Sequence, residues 1–422
     1  MRDAASSQRS LIANFTVLAS GHAAGLIVPL LMVPYLARVL RPEGWAPVLI
    51  AQALASWMIL LLDYGFDLSA TRSVAQSREN PDEIRRIAWG VQCAKLLLVP
   101  VALFLLVTAY LLLPALEQSR RLAFWTCAFA LLRGMNPLWF FQGLEQYRSA
   151  VAIDAACKVA GAAAVLMVVR GAADGWMVLA LQAIFAAISL IWLTARLRAR
   201  VPSTWSLMEG IGALRASWAL FAFRASGTLY LQANTIILGV FASPVAVASY
   251  GGAERIVRAA INLLEPFNRL FLPRISFLST SNPAQAAMLV QKSLLVLGAA
   301  SVVGGAMIAI AAPLLVTVLL GAGYENAVPI LRWLALLLPT ITVGTVLGNF
   351  WALPFKRDHA LLSATMAAGA LNLVLAYLLV PRMAALGMAA AVVCAELLVA
   401  LSLAALYWKW RSETQLKTVA VV

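Results

Sequence analysis

Long apolar runs, repeated along the whole chain, constrain the fold of this sequence more than any other feature. A helix crosses a bilayer with about 20 apolar residues, because its internal hydrogen bonds satisfy the backbone where no water is present. Such runs occur at 12–37, 44–66, 88–113, 122–142, 149–169, 174–195, 216–241, 246–274, 291–319, 328–353, 359–380 and 385–408. We therefore expect an all-α membrane protein with about twelve transmembrane helices.

The composition excludes most soluble classes of protein. Of the 422 residues, 63% are hydrophobic and only 12% are charged, whereas a soluble domain has about 25% charged residues. The net charge of +14 lies mostly beside the apolar runs, which indicates membrane topology rather than nucleic-acid binding. We expect no catalytic residue, cofactor or metal site, because nucleotide-binding and metalloprotease motifs are missing and the four cysteines lie singly in apolar runs.

Basic residues are distributed unevenly between the two sides of the predicted membrane. With both termini inside, the predicted cytoplasmic segments hold 18 Lys and Arg residues, and the outside segments hold six. Cytoplasmic loops of membrane proteins carry such an excess. We expect a multi-pass protein of the bacterial inner membrane with both termini in the cytoplasm.

A weak internal repeat is found when the chain is shifted by 202 residues. The matching pairs are Pro42 with Pro244, Ala51 with Ala253, and Arg72 with Arg274. This register places the second predicted span on the eighth, with the same direction of travel. It predicts two parallel six-helix halves, residues 1–200 and 201–422, around a central cavity.

Charged and polar side chains recur at helical spacing inside several predicted spans. A charge at bilayer depth costs a few kcal/mol, so it persists where it faces water, a partner or a ligand. The candidate substrate-binding residues are Arg224, Arg255, Arg258, Arg269, Asn14 and Gln232. The candidates for coupling or gating are Asp63, Asp67, Glu254 and Glu265.

Two interpretations of these arginines remain open. They could form buried ion pairs with the four acidic candidates and hold the two halves together. Alternatively, an excess of guanidinium groups in a water-filled cavity suits phosphate or carboxylate oxygens, which Arg binds with two parallel hydrogen bonds. Elsewhere, Lys158 lies one turn from Asp154 and is expected to pair with it, and Arg133 is expected to extend toward the membrane surface.

Three stretches resemble the polysaccharide exporter family of the multidrug/oligosaccharidyl-lipid/polysaccharide (MOP) flippase superfamily, especially its O-antigen (Wzx-type) flippases. They are Tyr64-Gly65-Phe66-Asp67-Leu68-Ser69-Ala70-Thr71-Arg72, Asn136-Pro137-Leu138-Trp139-Phe140-Phe141-Gln142-Gly143-Leu144-Glu145, and Tyr250-Gly251-Gly252-Ala253-Glu254-Arg255-Ile256 continuing to Leu272-Pro273-Arg274-Ile275-Ser276. The order of apolar runs also matches over nearly the whole chain. One departure is Ala46, where the family usually has glycine.

The resemblance implies a polyprenyl-diphosphate-linked oligosaccharide as cargo, flipped from the cytoplasmic to the periplasmic leaflet by alternating access. It also implies that arginines of spans seven and eight meet the diphosphate, and that protons or sodium are the coupling ions. Membrane lipids and other polysaccharide-assembly proteins are the further partners expected. The alternatives are a drug or cation exporter of the same superfamily, which would need an anionic cavity, and a glycan polymerase or glycosyltransferase, which would need a large loop or domain.

Overall fold

The computed structural model describes the backbone of residues 2–419 and the side chains of residues 31–412, apart from 147, 223, 226–231 and 269. No β-strand occurs in that described backbone. Packing divides the chain into two compact units, Met1–Val240 and Phe241–Val422. The predicted all-α class is confirmed, and the boundary between the units lies forty residues after the predicted 200/201 boundary because the seventh predicted span packs with the first unit.

The first unit is built from helices of very different length. In chain order they are α1 (Arg2–Asp63), α2 (Phe66–Gln76), α3 (Pro81–Leu112), α4 (Pro114–Glu117), α5 (Arg120–Gly134), α6 (Leu138–Gly143), α7 (Tyr147–Val168), α8 (Gly175–Arg200) and α9 (Leu207–Phe241). Inside α1 the backbone breaks at Arg41, which has a φ of 56°, so α1 holds the first two predicted spans. An aromatic core that includes Phe66, Trp89 and Phe140 packs α2, α3 and α6 together.

In the described backbone the second unit has six α-helices and one π-helix. The α-helices are α10 (Pro244–Ile261), α11 (Glu265–Ser281), α12 (Pro283–Leu319), α13 (Ala327–Ala335), α14 (Leu337–Thr345) and α15 (Asp358–Val419), and the π-helix, Val346–Ala352, follows α14. A 3-10 turn at Asn262–Leu264 separates α10 from α11, and α15 breaks at Ala384. The core of this unit includes Phe350, Trp351 and Tyr407.

Seven helical segments among the described residues are long and apolar enough to cross a membrane. Two of these, 31–76 and 358–412, contain the breaks at Arg41 and Ala384 and hold more than one predicted span each. Each of the twelve predicted runs overlaps a helix. The number of membrane crossings stays a prediction.

Helix starts follow the 202-residue register in both units. A helical segment begins at Pro42, directly after the break in α1, and α10 begins at Pro244. The register also aligns two helix caps. Asn80 before α3 accepts a hydrogen bond from the Glu83 amide at 3.1 Å, and Asn282 before α12 accepts one from the Gln285 amide at 3.1 Å. These paired caps support the repeat through local structure inside each unit.

Candidate functional site

Arg224, the candidate on the seventh span, forms an ion pair with Asp67 within the first unit. The sequence places Asp67 in the first turn of α2, directly after the left-handed Gly65, which has a φ of 77°. A side chain at Gly65 would lie 3.1 Å from the Leu220 side chain and the Phe221 amide of α9. Glycine is therefore required both for the backbone turn and for the close approach of the two helices.

Two further contacts connect the same helices. The rings of Tyr64 and Phe221 are stacked with centroids 4.3 Å apart, and the hydroxyls of Ser69 and Ser217 lie 2.7 Å apart in a buried position. We call the contacts of residues 64–69 with residues 217–224 the α2–α9 seam. The seam fixes the direction of the Arg224 side chain, which remains 35% exposed.

In the second unit, Arg258 of α10 pairs with Glu254 of the same helix. The guanidinium donates to Oε1 of Glu254 from Nε at 3.0 Å and from Nη2 at 2.6 Å. The two residues are one turn apart, which brings their side chains together on one helix face. Glu254 is 13% exposed and Arg258 is 38% exposed. The pair therefore lies where the buried face of α10 meets its exposed face.

The remaining predicted residues are placed as follows. Gln232 lies half-buried on α9, two turns beyond Arg224. Arg255 and Glu265 lie on α10 and at the start of α11, are partly buried, and each interacts with other groups. Asn14 and Arg269 lie outside the side chains that the structure describes. Their part in a substrate site stays a prediction.

Asp63 is paired with a lysine that the sequence analysis did not select. The Nζ atom of Lys95, which is completely buried, lies 3.1 Å from Oδ1 of Asp63. It also donates to the carbonyl oxygens of Gly134 at 2.6 Å and Asn136 at 3.4 Å. A lysine in the middle of an apolar run is rare enough to have marked this position, but its partner is set by packing between α1, α3 and α5.

Asp154 of α7 collects a second group of polar side chains in the first unit. Arg133 approaches its Oδ1 at 2.6 Å and Lys158 its Oδ2 at 2.9 Å. Ser189 of α8 donates to Oδ1 at 3.1 Å. The predicted Lys158–Asp154 pair is confirmed. The structure adds Asp154 as a partner of Arg133, and the extension of Arg133 toward the membrane surface stays a prediction.

Two of the sequence stretches that carry the family resemblance contact each other. Thr71 Oγ1 donates to the Trp139 carbonyl at 3.1 Å, and Nε of Arg78 donates to the Gly143 carbonyl at 2.9 Å. Arg78 also forms an ion pair with Glu145 at 3.0 Å. The hydrogen bond that Arg78 donates to Glu145, together with the Arg78 charge, lowers the pKa of the Glu145 carboxyl below its ordinary value.

The chain matches one family model and is similar over most of its length to two proteins that are named as transporters. The model of the family described as "Polysaccharide biosynthesis protein" matches residues 11–279. An Escherichia coli (strain K12) protein named "Putative O-antigen transporter" is 28% identical over 400 residues, covering 92% of this chain and 95% of its own length. A Shigella dysenteriae protein of the same name is 26% identical over 397 residues, covering 92% and 98% respectively.

Solved structures show the same fold at low sequence identity. The lipid II flippase MurJ in an inward closed conformation superposes with a TM-score of 0.71 at 11% identity, covering 93% of this chain and 86% of that one. An inward-facing multidrug resistance transporter of the MATE family, in the MOP superfamily, gives a TM-score of 0.63 at 15% identity, covering 91% and 95%. These likenesses establish the fold and carry no statement about cargo.

Proposed function

Because the chain belongs to the family of polysaccharide biosynthesis proteins, as its sequence stretches predicted, we propose that it moves a lipid-linked oligosaccharide across the bacterial inner membrane. It is a multi-pass membrane protein with relatives that are named as transporters, not as enzymes. The proposed cargo is a polyprenyl-diphosphate-linked O-antigen or exopolysaccharide repeat unit. The proposed route runs from the cytoplasmic to the periplasmic leaflet by alternating access.

The observation that carries the proposal is the partial pairing of the arginines. Among the side chains that the structure describes, Arg224 and Arg258 each form an ion pair with one carboxylate, yet each arginine side chain is more than one third exposed. A guanidinium group has five N–H donors, so each arginine keeps donors for a second acceptor. Diphosphate oxygens suit these donors, because Arg binds phosphate with two parallel charge-assisted hydrogen bonds.

The acidic partner of each arginine competes with the cargo for the guanidinium group. When a diphosphate binds Arg224, the Asp67 carboxylate competes for the same guanidinium. Within the described part of the chain, Oδ1 of Asp67 is buried without a hydrogen-bond partner, so the carboxylate keeps an acceptor atom that the ion pair does not use. We propose that Asp67 and Glu254 couple arginine release to a proton or sodium gradient.

The experiment measures glycan export in cells, with the membrane abundance of each variant determined in parallel. Arg224→Ala and Arg258→Ala should each lower export at least tenfold at normal abundance. Arg224→Lys should keep the positive charge, lose the fork geometry and export at an intermediate rate. Arg382→Ala, an exposed arginine that donates to the Leu378 carbonyl of its own helix, is the matched control and should export normally.

A charge swap separates binding from structural pairing. In the Arg224→Asp, Asp67→Arg double variant the ion pair is retained with its direction reversed. If the pair serves only to hold α2 against α9, the swap restores export, and the binding role of Arg224 is excluded. If Arg224 binds the cargo, the swapped protein reaches the membrane but does not export.

A further inference from the structure

The first unit contains a cavity of about 760 Å³ between α2, the start of α3 and the start of α9. This volume lies within the range of about 300–1,000 Å³ that is usual for small-molecule sites. Much of the lining comes from residues 70–88, between the second and third predicted spans, a segment with four arginines that we predict to be cytoplasmic. Neither Arg224 nor Arg258 lines it, so it is separate from the arginines discussed above.

Hydroxyl groups line much of this cavity. Ser69 and Ser73 lie one turn apart on one face of α2, and Ser77 is the residue that caps the end of this helix. Ser217 and Ser206 face the cavity from α9 and from the segment just before it. The Ser69 and Ser217 hydroxyls hydrogen-bond each other, and the Ser73 hydroxyl donates to the Ser69 carbonyl. A hydroxyl oxygen has two acceptor lone pairs beside its donor, so these serines keep acceptor positions for a ligand that itself carries several hydroxyl groups.

The charges of the lining disfavour a phosphate. Glu83 and Arg86 neutralise each other in an ion pair of 2.8 Å. Glu209 also lines the cavity and forms no ion pair with any side chain that the structure describes. The lining therefore carries about one net negative charge, which repels an anion and accepts hydrogen bonds from hydroxyl donors.

Small residues keep the cavity open while the helices approach closely. A side chain at Gly90 of α3 would lie 3.3 Å from the Cβ atom of Glu209, so glycine lets α9 approach α3 at this point. A side chain at Gly212 of α9 would meet nothing within 4 Å. The missing side chain of Gly212, which lines the cavity, is thus part of its free space.

We propose that this cavity binds the sugar part of the lipid-linked cargo through its hydroxyl groups, apart from the arginines that bind the diphosphate. The proposal rests on the proposed function, because it assigns a second subsite for the same cargo. Sugar rings offer many hydroxyl donors and acceptors and no charge, which suits the serines, Gln76 and Glu209 of the lining. Free sugars carry the same hydroxyl chemistry, and sugar nucleotides carry it beside a charged diphosphate. The test distinguishes both from the lipid-linked form.

The test fills the cavity without disturbing the backbone. Gly212→Leu places a side chain in the open space, and Gly298→Leu on α12, where a side chain also meets nothing within 4 Å, is the matched control. Binding to the purified full chain in nanodiscs is measured by calorimetry with four probes. The probes are undecaprenyl diphosphate, the lipid-linked oligosaccharide of the strain that carries the gene, the free oligosaccharide released from it by mild acid, and an unrelated sugar nucleotide.

Gly212→Leu should weaken binding of the free and lipid-linked oligosaccharide at least tenfold and leave undecaprenyl diphosphate binding unchanged. Arg224→Ala should weaken binding of undecaprenyl diphosphate and leave binding of the free oligosaccharide unchanged. This difference separates failure of this proposal from failure of the proposed function. If Gly212→Leu does not fold, Glu209→Gln takes its place in the test. Glu209→Gln keeps the side-chain size and should weaken oligosaccharide binding.

Three outcomes would overturn the sugar subsite. The free oligosaccharide could fail to bind the unaltered protein, or Gly212→Leu and Gly298→Leu could bind it equally well. Tighter binding of an unrelated sugar nucleotide than of the lipid-linked oligosaccharide would assign the cavity to a soluble ligand instead.

Discussion

The ammonium group of Lys95 and the carboxylate of Asp63 lie 3.1 Å apart, with the lysine completely buried and the aspartate 34% exposed. Two backbone carbonyls, those of Gly134 and Asn136, accept from the same ammonium group. All three N–H donors therefore have an acceptor nearby. One lysine on α3 thus connects the end of α1 with the end of α5.

Replacement of this lysine should destabilise the first unit. Lys95→Met keeps most of the volume but leaves Asp63 without its partner, and we expect a loss of about 3 kcal/mol in the free energy of unfolding. Thermal unfolding in detergent provides the measurement. Lys409→Met at an exposed position of α15 is the control and should change stability by less than about 0.5 kcal/mol. Equal unfolding temperatures for the two variants would show that the Lys95 contacts contribute nothing.

Asp154 should be the most sensitive acidic residue of the first unit. Its replacement in Asp154→Asn leaves Arg133 and Lys158 close together without their common carboxylate, and we expect a loss of about 3–5 kcal/mol with much lower membrane abundance. Asp82→Asn removes the carboxylate of the exposed pair with Arg85, at 2.9 Å, and should cost less than about 1 kcal/mol. Fluorescence-detected size-exclusion after heating compares the two. A stable, abundant Asp154→Asn protein would contradict the assignment.

The contact between α2 and α6 predicts a steric effect at Gly143. A Cβ atom there would lie 2.8 Å from the Val74 side chain and 2.9 Å from the Thr71 carbonyl oxygen. Because the Thr71 backbone would clash with the added methyl group, Gly143→Ala should lower the free energy of unfolding by about 1–3 kcal/mol. Gly369→Ala on α15, where a side chain meets nothing within 4 Å, should be neutral or stabilising by up to about 1 kcal/mol. The opposite order of unfolding temperatures would mean that α2 and α6 are not packed in this way.

The Glu145–Arg78 pair should make the end of α6 sensitive to acid. The pKa of Glu145 is lowered by the Arg78 hydrogen bond and charge, so the pair stabilises the folded loop above the ordinary pKa of a glutamate. That contribution is lost as the pH falls through the lowered pKa of the folded state. Limited proteolysis near residue 145 should become faster at low pH in the unaltered protein. In Glu145→Gln the rate should not follow this titration, and an identical pH profile would refute the pairing.

The sequence predicted features that depend on neighbouring residues. Apolar runs of sufficient length predicted the helices, and the 202-residue register matched Pro42 with Pro244, which both begin helical segments in the structure. The capping residues Asn80 and Asn282 follow the same register, but the sequence analysis did not select them. The lysine-to-aspartate step from Lys158 to Asp154 was also predictable, because one turn of helix is enough to join them.

Only the tertiary structure decided which distant groups meet. Arg224 pairs with Asp67, Lys95 with Asp63 and Arg133 with Asp154, across separations that helical periodicity does not encode. The cavity of α2, α3 and α9 also depends on the glycines that let these helices approach. Hydrophobic runs and helix caps depend on residues that are close in the chain, so they can be predicted from the order of residues alone. Ion pairs and cavities arise from the packing of separate helices, and that packing determines which charge each arginine or lysine receives as its partner.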